Sequence, residues 1–344
     1  MKKNKHIGSS FDDFLQEQHI IQCLNTNYGI KVAALTFIPL GADMDASVYK
    51  AQTYDQSSYF VKLKRGCHQD IGTIMQLLLH DNGIKQIIYP IKTNHGQPTC
   101  HIDDFTITAY PFIEGKNGFN IDLTNGQWIT LGKALKEVHE FHLPSSIKDQ
   151  IKLESYSPKW REAVRSMYTY IDTEQRVTDE IALKLLTFMK EHRATIQRLV
   201  NRADQLEQKI QKQSPEFVLC HSDIHAGNVL IANDGNIYIV DWDQPIMAPK
   251  ERDLMFIGGG IANVWNNPHE EKLFYKGYGK TEINKKILAY YRHERIVEDI
   301  AIYSQQLLLA TNGGKDREIM YKQFIDMFES RGVVDIAFKT DTDL

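Results

Sequence analysis

The sequence has 344 residues, of which 42% are hydrophobic and 24% are charged, and its formal net charge is -4. This length exceeds that of one compact domain and favours two units of unequal size. Nucleic-acid binding is not expected, because it needs clustered Lys and Arg. No apolar run could span a bilayer. The lysines near the start could belong to a signal peptide, but they are followed by Phe11-Asp12-Asp13-Phe14 where a signal peptide would have its apolar region. Export is therefore not expected.

The four cysteines, Cys23, Cys67, Cys100 and Cys220, are widely spaced and form no C-x-x-C pair. In a chain that can build its own core, this spacing indicates free thiols in a reducing compartment. We therefore expect a cytoplasmic protein with no membrane attachment and no obligate protein partner.

The first hundred residues alternate short strand-like runs with turn residues. An amphipathic helix is predicted at 11–28, closed by Gly29, and a second at 70–81. β-branched and aromatic runs predict strands at 33–39, 46–53, 59–64, 86–91 and 105–111. Strands with few helices indicate a small α+β unit over residues 1–110.

The composition changes at Tyr110-Pro111-Phe112-Ile113-Glu114-Gly115, so residues 111–117 are predicted to be a hinge. Residues 118–344 carry apolar stripes of helical period that predict helices at 128–141, 179–210 and 285–309. A β-hairpin interrupts them, with strands at 229–231 and 237–240 and an Asp-Gly turn between. The predicted fold class is α+β, with a small β-rich N-terminal lobe and a larger, mainly helical C-terminal lobe.

The hairpin displays polar side chains in a pattern typical of phosphoryl transfer. The loop His221–Asn228 reads H-x-D-x-x-x-x-N, and Asp241 ends the returning strand. Kinase catalytic loops share this spacing: the Asp orients the attacking hydroxyl, and the Asn and the later Asp hold Mg²⁺. We expect Asp223 to be catalytic, Asn228 and Asp241 to bind Mg²⁺, and Lys62 to contact the ATP phosphates. Lys64 lies on the same strand face and is a weaker candidate.

These residues resemble the signature of aminoglycoside phosphotransferases and their choline-kinase-like relatives. The resemblance rests on the segments 219–228 and 239–243. It extends to the spectinomycin phosphotransferase branch of that family through the segments 157–162, 248–260 and 290–299, and covers most of residues 11–340. It implies a protein-kinase-like two-lobe fold and transfer of the γ-phosphate of ATP to a hydroxyl of a cationic aminocyclitol or aminoglycoside.

The resemblance also implies roles for residues outside the catalytic loop. The backbone of the hinge residues Tyr110, Phe112 and Ile113 would meet adenine. Asp70 is the one acid in 67–80, where a partner for the phosphate-binding lysine is expected. The implied substrate-binding residues are Asp43, Trp242, Asp253, Glu298 and Asp299.

Departures from the protein-kinase pattern favour a small-molecule enzyme. Ser222 stands where protein kinases have the Arg of H-R-D, and Trp242-Asp243 replaces Phe-Gly after the metal-binding Asp. No G-x-G-x-x-G motif is present; the segment 40–46 occupies the corresponding turn.

Other interpretations stay open at this point. Asp and Asn in loops often only cap turns, and H-x-D-x-H at His221–His225 could begin a hydrolase metal site. The segment 294–299 could be an ordinary surface face of i,i+4 ion pairs, and Trp242 could be a core residue. The acceptor could be choline-like or methylthioribose-like, and a regulatory nucleotide-binding pseudokinase is a further alternative.

Overall fold

A computed structural model describes residues 17–38, 46–66, 71–173, 177–259, 261–309 and 315–342. The chain divides into two compact units, Met1–Gly83 with Ile87–Glu114, and Ile84–Gln86 with Gly115–Leu344. The division after Glu114 falls inside the predicted hinge. The short segment Ile84–Gln86 belongs to the second unit, where the Ile239 backbone N–H donates to the Gln86 carbonyl at 2.7 Å.

The first unit is built on a five-stranded antiparallel sheet of order β1-β2-β3-β5-β4. The helices are α1 (Glu17–Tyr28) and α2 (Ile71–Asp81). The strands are β1 (Val32–Ile38), β2 (Ala46–Thr53), β3 (Ser58–Arg65), β4 (Cys100–Ile102) and β5 (Phe105–Pro111). The predicted strand at 86–91 is wrong: this segment is a loop with one bridge residue, and Pro90 has no N–H to donate to a ladder.

Side chains alternate across β3, which separates a core face from a polar face. Val61 and Leu63 are fully buried with the apolar residues of α1 and β5, whereas Lys62 and Lys64 on the other face are half-buried. Cys23 on α1 is bonded to Cys100 on β4, so the prediction of free thiols is wrong for this pair. Because the two residues are 77 positions apart, their proximity arises from the packing of α1 against the sheet and left no signal in the sequence.

The second unit is mainly helical, with two small three-stranded sheets. Its helices are α3 (Asn125–His139), α4 (Ser145–Lys148), α5 (Lys159–Asp172), α6 (Glu180–Glu191), α7 (Arg193–Ile210), α8 (Glu251–Leu254), α9 (Pro268–Tyr278), α10 (Lys285–Ser304), α11 (Lys315–Asp326) and α12 (Val333–Thr342). Its strands are β6 (Gly115–Asn117), β7 (Lys152–Leu153), β8 (Val218–Cys220), β9 (Val229–Ala232), β10 (Ile237–Ile239) and β11 (Ile246–Ala248). Among the described helices, none combines the length and the apolar character needed to cross a bilayer.

The helix predicted at 179–210 is interrupted at His192. The His192 backbone N–H ends α6 by donating to the Phe188 carbonyl, and α7 starts at the next residue. The imidazole also stacks on the Phe188 ring, with centroids 3.8 Å apart. Apolar residues of both halves belong to one core cluster, which is why a single uninterrupted stripe described the sequence equally well.

Two glycines let α3 and α9 pack with their backbones in close contact. A Cβ added to Gly132 would lie 2.1 Å from the Phe274 carbonyl oxygen, and one added to Gly277 would lie 1.9 Å from that of Ile129. This close packing brings His139 at the end of α3 to Tyr278 at the end of α9, where its Nδ1 lies 2.7 Å from the tyrosine hydroxyl.

Candidate active site

The loop 221–228 follows β8, and a buried carboxylate holds its first residues by hydrogen bonds. Asp253 is fully buried and accepts hydrogen bonds from the backbone N–H groups of His221, at 2.8 Å, and Ser222, at 2.7 Å. His139 Nε2 lies 3.1 Å from the same carboxylate. The predicted substrate-binding role of Asp253 is therefore not supported, because its oxygens are engaged inside the protein and it holds the loop in place.

The start of the loop has a left-handed backbone that turns the chain sharply. Ser222 has φ of 74°, a conformation that costs energy in a residue other than glycine and that clusters at functional sites. Its hydroxyl donates to the Gln244 carbonyl at 2.8 Å. The next side chain, that of Asp223, remains 40% exposed, so it is accessible from solvent.

Three side chains contact the Asp223 carboxylate. Arg295 Nη1 donates to Oδ1 at 2.7 Å, and Asn228 Nδ2 donates to Oδ2 at 3.2 Å. His225 Nε2 lies 3.4 Å from Oδ2. Burial alone would raise the pKa of Asp223, but the hydrogen bond from His225 and the charge of Arg295 hold that pKa well below its usual value. These contacts favour the ionised form of the Asp223 carboxylate.

The hairpin register places Asn228 beside the end of β10. Ile239 pairs with Val229, and the Val240 N–H donates to the Asn228 carbonyl at 2.9 Å. Asp241 is the next residue, exposed and with φ of 64°. Asn228 also donates its amide nitrogen to the Asp223 carbonyl at 2.9 Å, which leaves its amide oxygen as the atom suited to a hard cation.

Neither imidazole of the H-x-D-x-H segment is arranged as a metal ligand. His221 Nε2 lies 2.9 Å from the Val240 carbonyl, while its Nδ1 accepts from the Asp223 N–H at 3.3 Å. His225 Nδ1 accepts from the Gly227 N–H at 2.9 Å. Within the described residues, three buried side chains that could bind a metal lie close together, those of His139, Cys220 and Asp253. The carboxylate among them, that of Asp253, already accepts hydrogen bonds from the loop backbone.

Trp242 follows the metal-binding candidate but belongs to the core. Its side chain is 1% exposed, its Nε1 donates to the Ile239 carbonyl at 3.2 Å, and its ring packs edge-on against His221, with centroids 4.7 Å apart. This placement favours the core interpretation over substrate binding.

Helix α10 contributes charged groups that the sequence pattern only partly identified. The i,i+4 pair is formed, with Arg295 Nε 3.1 Å from Asp299 Oδ1, but both side chains are largely buried, at 20% and 15% exposed. Burial raises the pKa of Asp299 to about 6, against the opposing charge of Arg295. Glu298 is half-buried. Arg295 and His225 were not among the predicted site residues; the signal for Arg295 was its i,i+4 spacing, which surface helices share.

The nucleotide-binding candidates in the first unit lie on and after its sheet. Lys62 on β3 pairs with Thr108 of β5. Tyr110 is buried and its hydroxyl donates to Gln76 Oε1 at 3.0 Å, and the Phe112 N–H donates to the Ser58 carbonyl at 3.2 Å. Ile113 follows β5 and is half-buried. Asp43 and Asp70 lie outside the described residues, so their predicted roles are not tested.

Comparison with known proteins gives a consistent result. The model of the phosphotransferase enzyme family matches residues 36–271. The structure of spectinomycin phosphotransferase APH(9)-Ia in complex with ADP and spectinomycin is 49% identical, with a TM-score of 0.89 over 95% of this chain and 99% of that one. The AMP-bound complex of spectinomycin phosphotransferase APH(9)-Ia is 47% identical, with a TM-score of 0.84 over 94% and 99%.

A more distant relative is protein StrN of Streptomyces griseus, which is 22% identical over 228 residues, 65% of this chain and 69% of that protein. The close matches extend over nearly the whole chain, beyond the segments that carry the catalytic signature. They confirm the α+β, protein-kinase-like fold class predicted from the sequence.

Proposed function

The chain belongs to the phosphotransferase enzyme family, and we propose that it transfers the γ-phosphoryl group of ATP to a hydroxyl of an aminocyclitol or aminoglycoside, with spectinomycin as the foremost acceptor. The observation that carries the acceptor is 49% identity over 95% of the chain to a protein crystallised with ADP and spectinomycin. Fold and catalytic loop are shared by enzymes with many acceptors, so the acceptor follows from the extent of this identity.

Asp223 is proposed to orient the acceptor hydroxyl. As the acceptor oxygen bonds to the γ-phosphorus and the bond from that phosphorus to the ADP oxygen breaks, the hydroxyl proton passes to the Asp223 carboxylate and then to solvent. A loose phosphoryl-transfer transition state depends mainly on positioning and charge neutralisation, which suits this role.

Asn228 and Asp241 are proposed to hold Mg²⁺, since the hairpin backbone brings their positions together and an amide oxygen and a carboxylate are hard ligands. Bound there, the cation would neutralise charge on the nucleotide phosphates. In the first unit, we propose that Lys62 binds the phosphates and that the backbone of Tyr110, Phe112 and Ile113 receives adenine.

The acceptor is proposed to be cationic because α10 carries acidic groups within one helical turn after Arg295, which contacts Asp223. Glu298 is the most available of these, being half-buried, whereas Asp299 is already paired with Arg295. We propose a cytoplasmic location, where ATP is available, and no protein partner or nucleic acid is needed for this chemistry.

A coupled ADP-release assay with a panel of acceptors tests the proposal. The panel contains spectinomycin, several aminoglycosides and choline, each with ATP and with GTP, and with Mg²⁺ or EDTA. We expect Mg²⁺-dependent ADP release with spectinomycin and little with choline. Turnover confined to choline, or ADP release from none of these acceptors, would refute the proposed function. A susceptible bacterial host that expresses the protein should also tolerate more spectinomycin.

A further inference from the structure

Arg295 connects helix α10 to the catalytic loop. Its Nη1 donates to Asp223 Oδ1 at 2.7 Å, and its Nε donates to Asp299 Oδ1 at 3.1 Å. The guanidinium carbon lies 5.8 Å from the centroid of the Phe256 ring. The cation is thus held between two carboxylates and beside an aromatic ring, in a largely buried position where charge-assisted hydrogen bonds are strong.

This arrangement fixes the Asp223 carboxylate at both oxygens. An ionised carboxylate has about four acceptor positions. Arg295 occupies one on Oδ1, while Asn228 and His225 are directed at Oδ2. The remaining acceptor position, on the partly exposed side of Asp223, is then defined in direction before any substrate binds.

Asp299 determines where the guanidinium points. It lies one helical turn after Arg295 and engages Nε, which leaves the Nη edge to face Asp223. A planar guanidinium offers this fork of donors, whereas a lysine ammonium offers a single charge with no fixed plane. The arrangement therefore depends on arginine and not only on positive charge.

We propose that Arg295 is a positioning residue for phosphoryl transfer, which holds Asp223 so that its remaining acceptor position faces the substrate hydroxyl. This inference rests on the role proposed for Asp223. It assigns to α10 a part in catalysis as well as in binding the acceptor.

A cavity beside Arg295 makes the inference testable by chemical rescue. The cavity has a volume of about 40 Å³, and its lining includes Arg295, Asp299, Phe256 and Tyr303. Removing the side chain in Arg295→Ala would enlarge this space by the volume of the lost group. A guanidinium ion could then enter and contact both carboxylates.

The experiment compares Arg295→Ala and Arg295→Lys with the wild-type enzyme, using the acceptor that gives ADP release. We expect kcat of Arg295→Ala to fall by about 10- to 100-fold, as for a misplaced catalytic group, while the KM for ATP stays within about twofold, since Arg295 acts on Asp223. Arg295→Lys should recover part of the loss. Low millimolar guanidinium should raise kcat of Arg295→Ala and leave the wild type unchanged.

The matched control is Arg193→Ala, because Arg193 also pairs with an aspartate, Asp172, but at a more exposed site. Its kcat should stay at the wild-type value, with no response to guanidinium. Wild-type kcat in a folded Arg295→Ala enzyme would overturn the inference. The inference would also be overturned if Arg295→Ala lost kcat together with a lower melting temperature, and neither Arg295→Lys nor guanidinium restored kcat. That pattern is expected of a residue that only stabilises the fold.

A crystal structure of Arg295→Ala with and without guanidinium provides a readout that needs no turnover. We expect the Asp223 side chain to leave its position without the ion and to return with it; an unmoved Asp223 contradicts the inference. Absence of turnover by the wild type with every acceptor would instead refute the proposed function and leave this structural comparison decisive for Arg295.

Discussion

The loop 221–228 and helix α10 both place polar groups at Asp223, but they do so in different ways. Asn228 and His225 come from the same loop, within five residues of Asp223, and Asp241 lies two residues beyond the last strand of the hairpin. Arg295 reaches Asp223 from 72 residues away. The loop contacts follow from local backbone geometry, whereas the helix contacts exist only because α10 is packed against the loop. A motif can therefore identify the first group and not the second.

The largest effect should come from the loop itself. Asp223→Asn keeps the shape of the side chain and an oxygen for Arg295, but it can no longer accept the substrate proton. We expect kcat to fall by about 10²- to 10⁴-fold, the range for a general base, with ATP affinity by calorimetry nearly unchanged. The control is Asp234→Asn in the exposed hairpin turn, which should retain wild-type kcat. Near-normal turnover of Asp223→Asn would show that the loop is not the catalytic element.

The next effect tests whether the loop depends on its hydrogen bonds to the buried carboxylate of Asp253. An amide in Asp253→Asn can satisfy only one of the backbone N–H groups of His221 and Ser222 with its oxygen. Leaving the other buried and unpaired costs about 1–3 kcal/mol, which corresponds to a melting temperature lower by about 2–4 °C per kcal/mol. We also expect kcat to decrease, because the loop loses its fixed position.

The control for this change is Asp335→Asn. Asp335 also accepts a backbone hydrogen bond, from Arg331 at 2.9 Å, but at an exposed site, where water can replace it. Its melting temperature should stay within about 1 °C of the wild type, since surface substitutions are usually within ±0.5 kcal/mol. Equal effects of the two substitutions would mean that burial of Asp253 does not matter to the loop.

The last effect concerns the stability of α10 and depends on pH. Burial raises the pKa of Glu294 from 4.5 to about 7. The charge of Arg161, whose Nε lies 3.1 Å from Glu294 Oε2, opposes this rise. Between these values the folded state binds more protons than the unfolded state, so wild-type stability falls as pH rises through the window. The loss is at most about 1.4 kcal/mol per pH unit.

Glu294→Gln removes this titration. Its melting temperature relative to the wild type should therefore increase from pH 4.5 to pH 7 and then stay level. The exposed Glu180→Gln is the control and should show a constant difference. A constant difference for Glu294→Gln as well would indicate that Glu294 is ionised throughout, and that α10 carries its charges as an ordinary surface helix does.

Part of the fold was accessible from local patterns. Strands β2 and β5 were predicted with the bounds observed, because alternation and turn residues are properties of neighbouring residues. The interruption at His192 and the bond between Cys23 and Cys100 were not. The helix break depends on how two segments pack into one core, and an apolar stripe is the same with or without the break. The cysteine bond depends on packing between segments distant in sequence, and the number of cysteines is the same whether or not the bond forms.

The sequence by itself predicted the proposed catalytic set on the hairpin. Asp223, Asn228 and Asp241 are tied together by a short loop and one tight turn, so spacing alone nearly fixes their proximity. Tertiary structure decided which other charges act on them. Asp253 proved to be an internal support and Trp242 a core residue, and Arg295 proved to be a contact of Asp223. The physical reason is burial. A buried charge without a partner is unfavourable, so buried charges are paired with groups from other parts of the fold. The residue spacing within one segment does not show which groups these are.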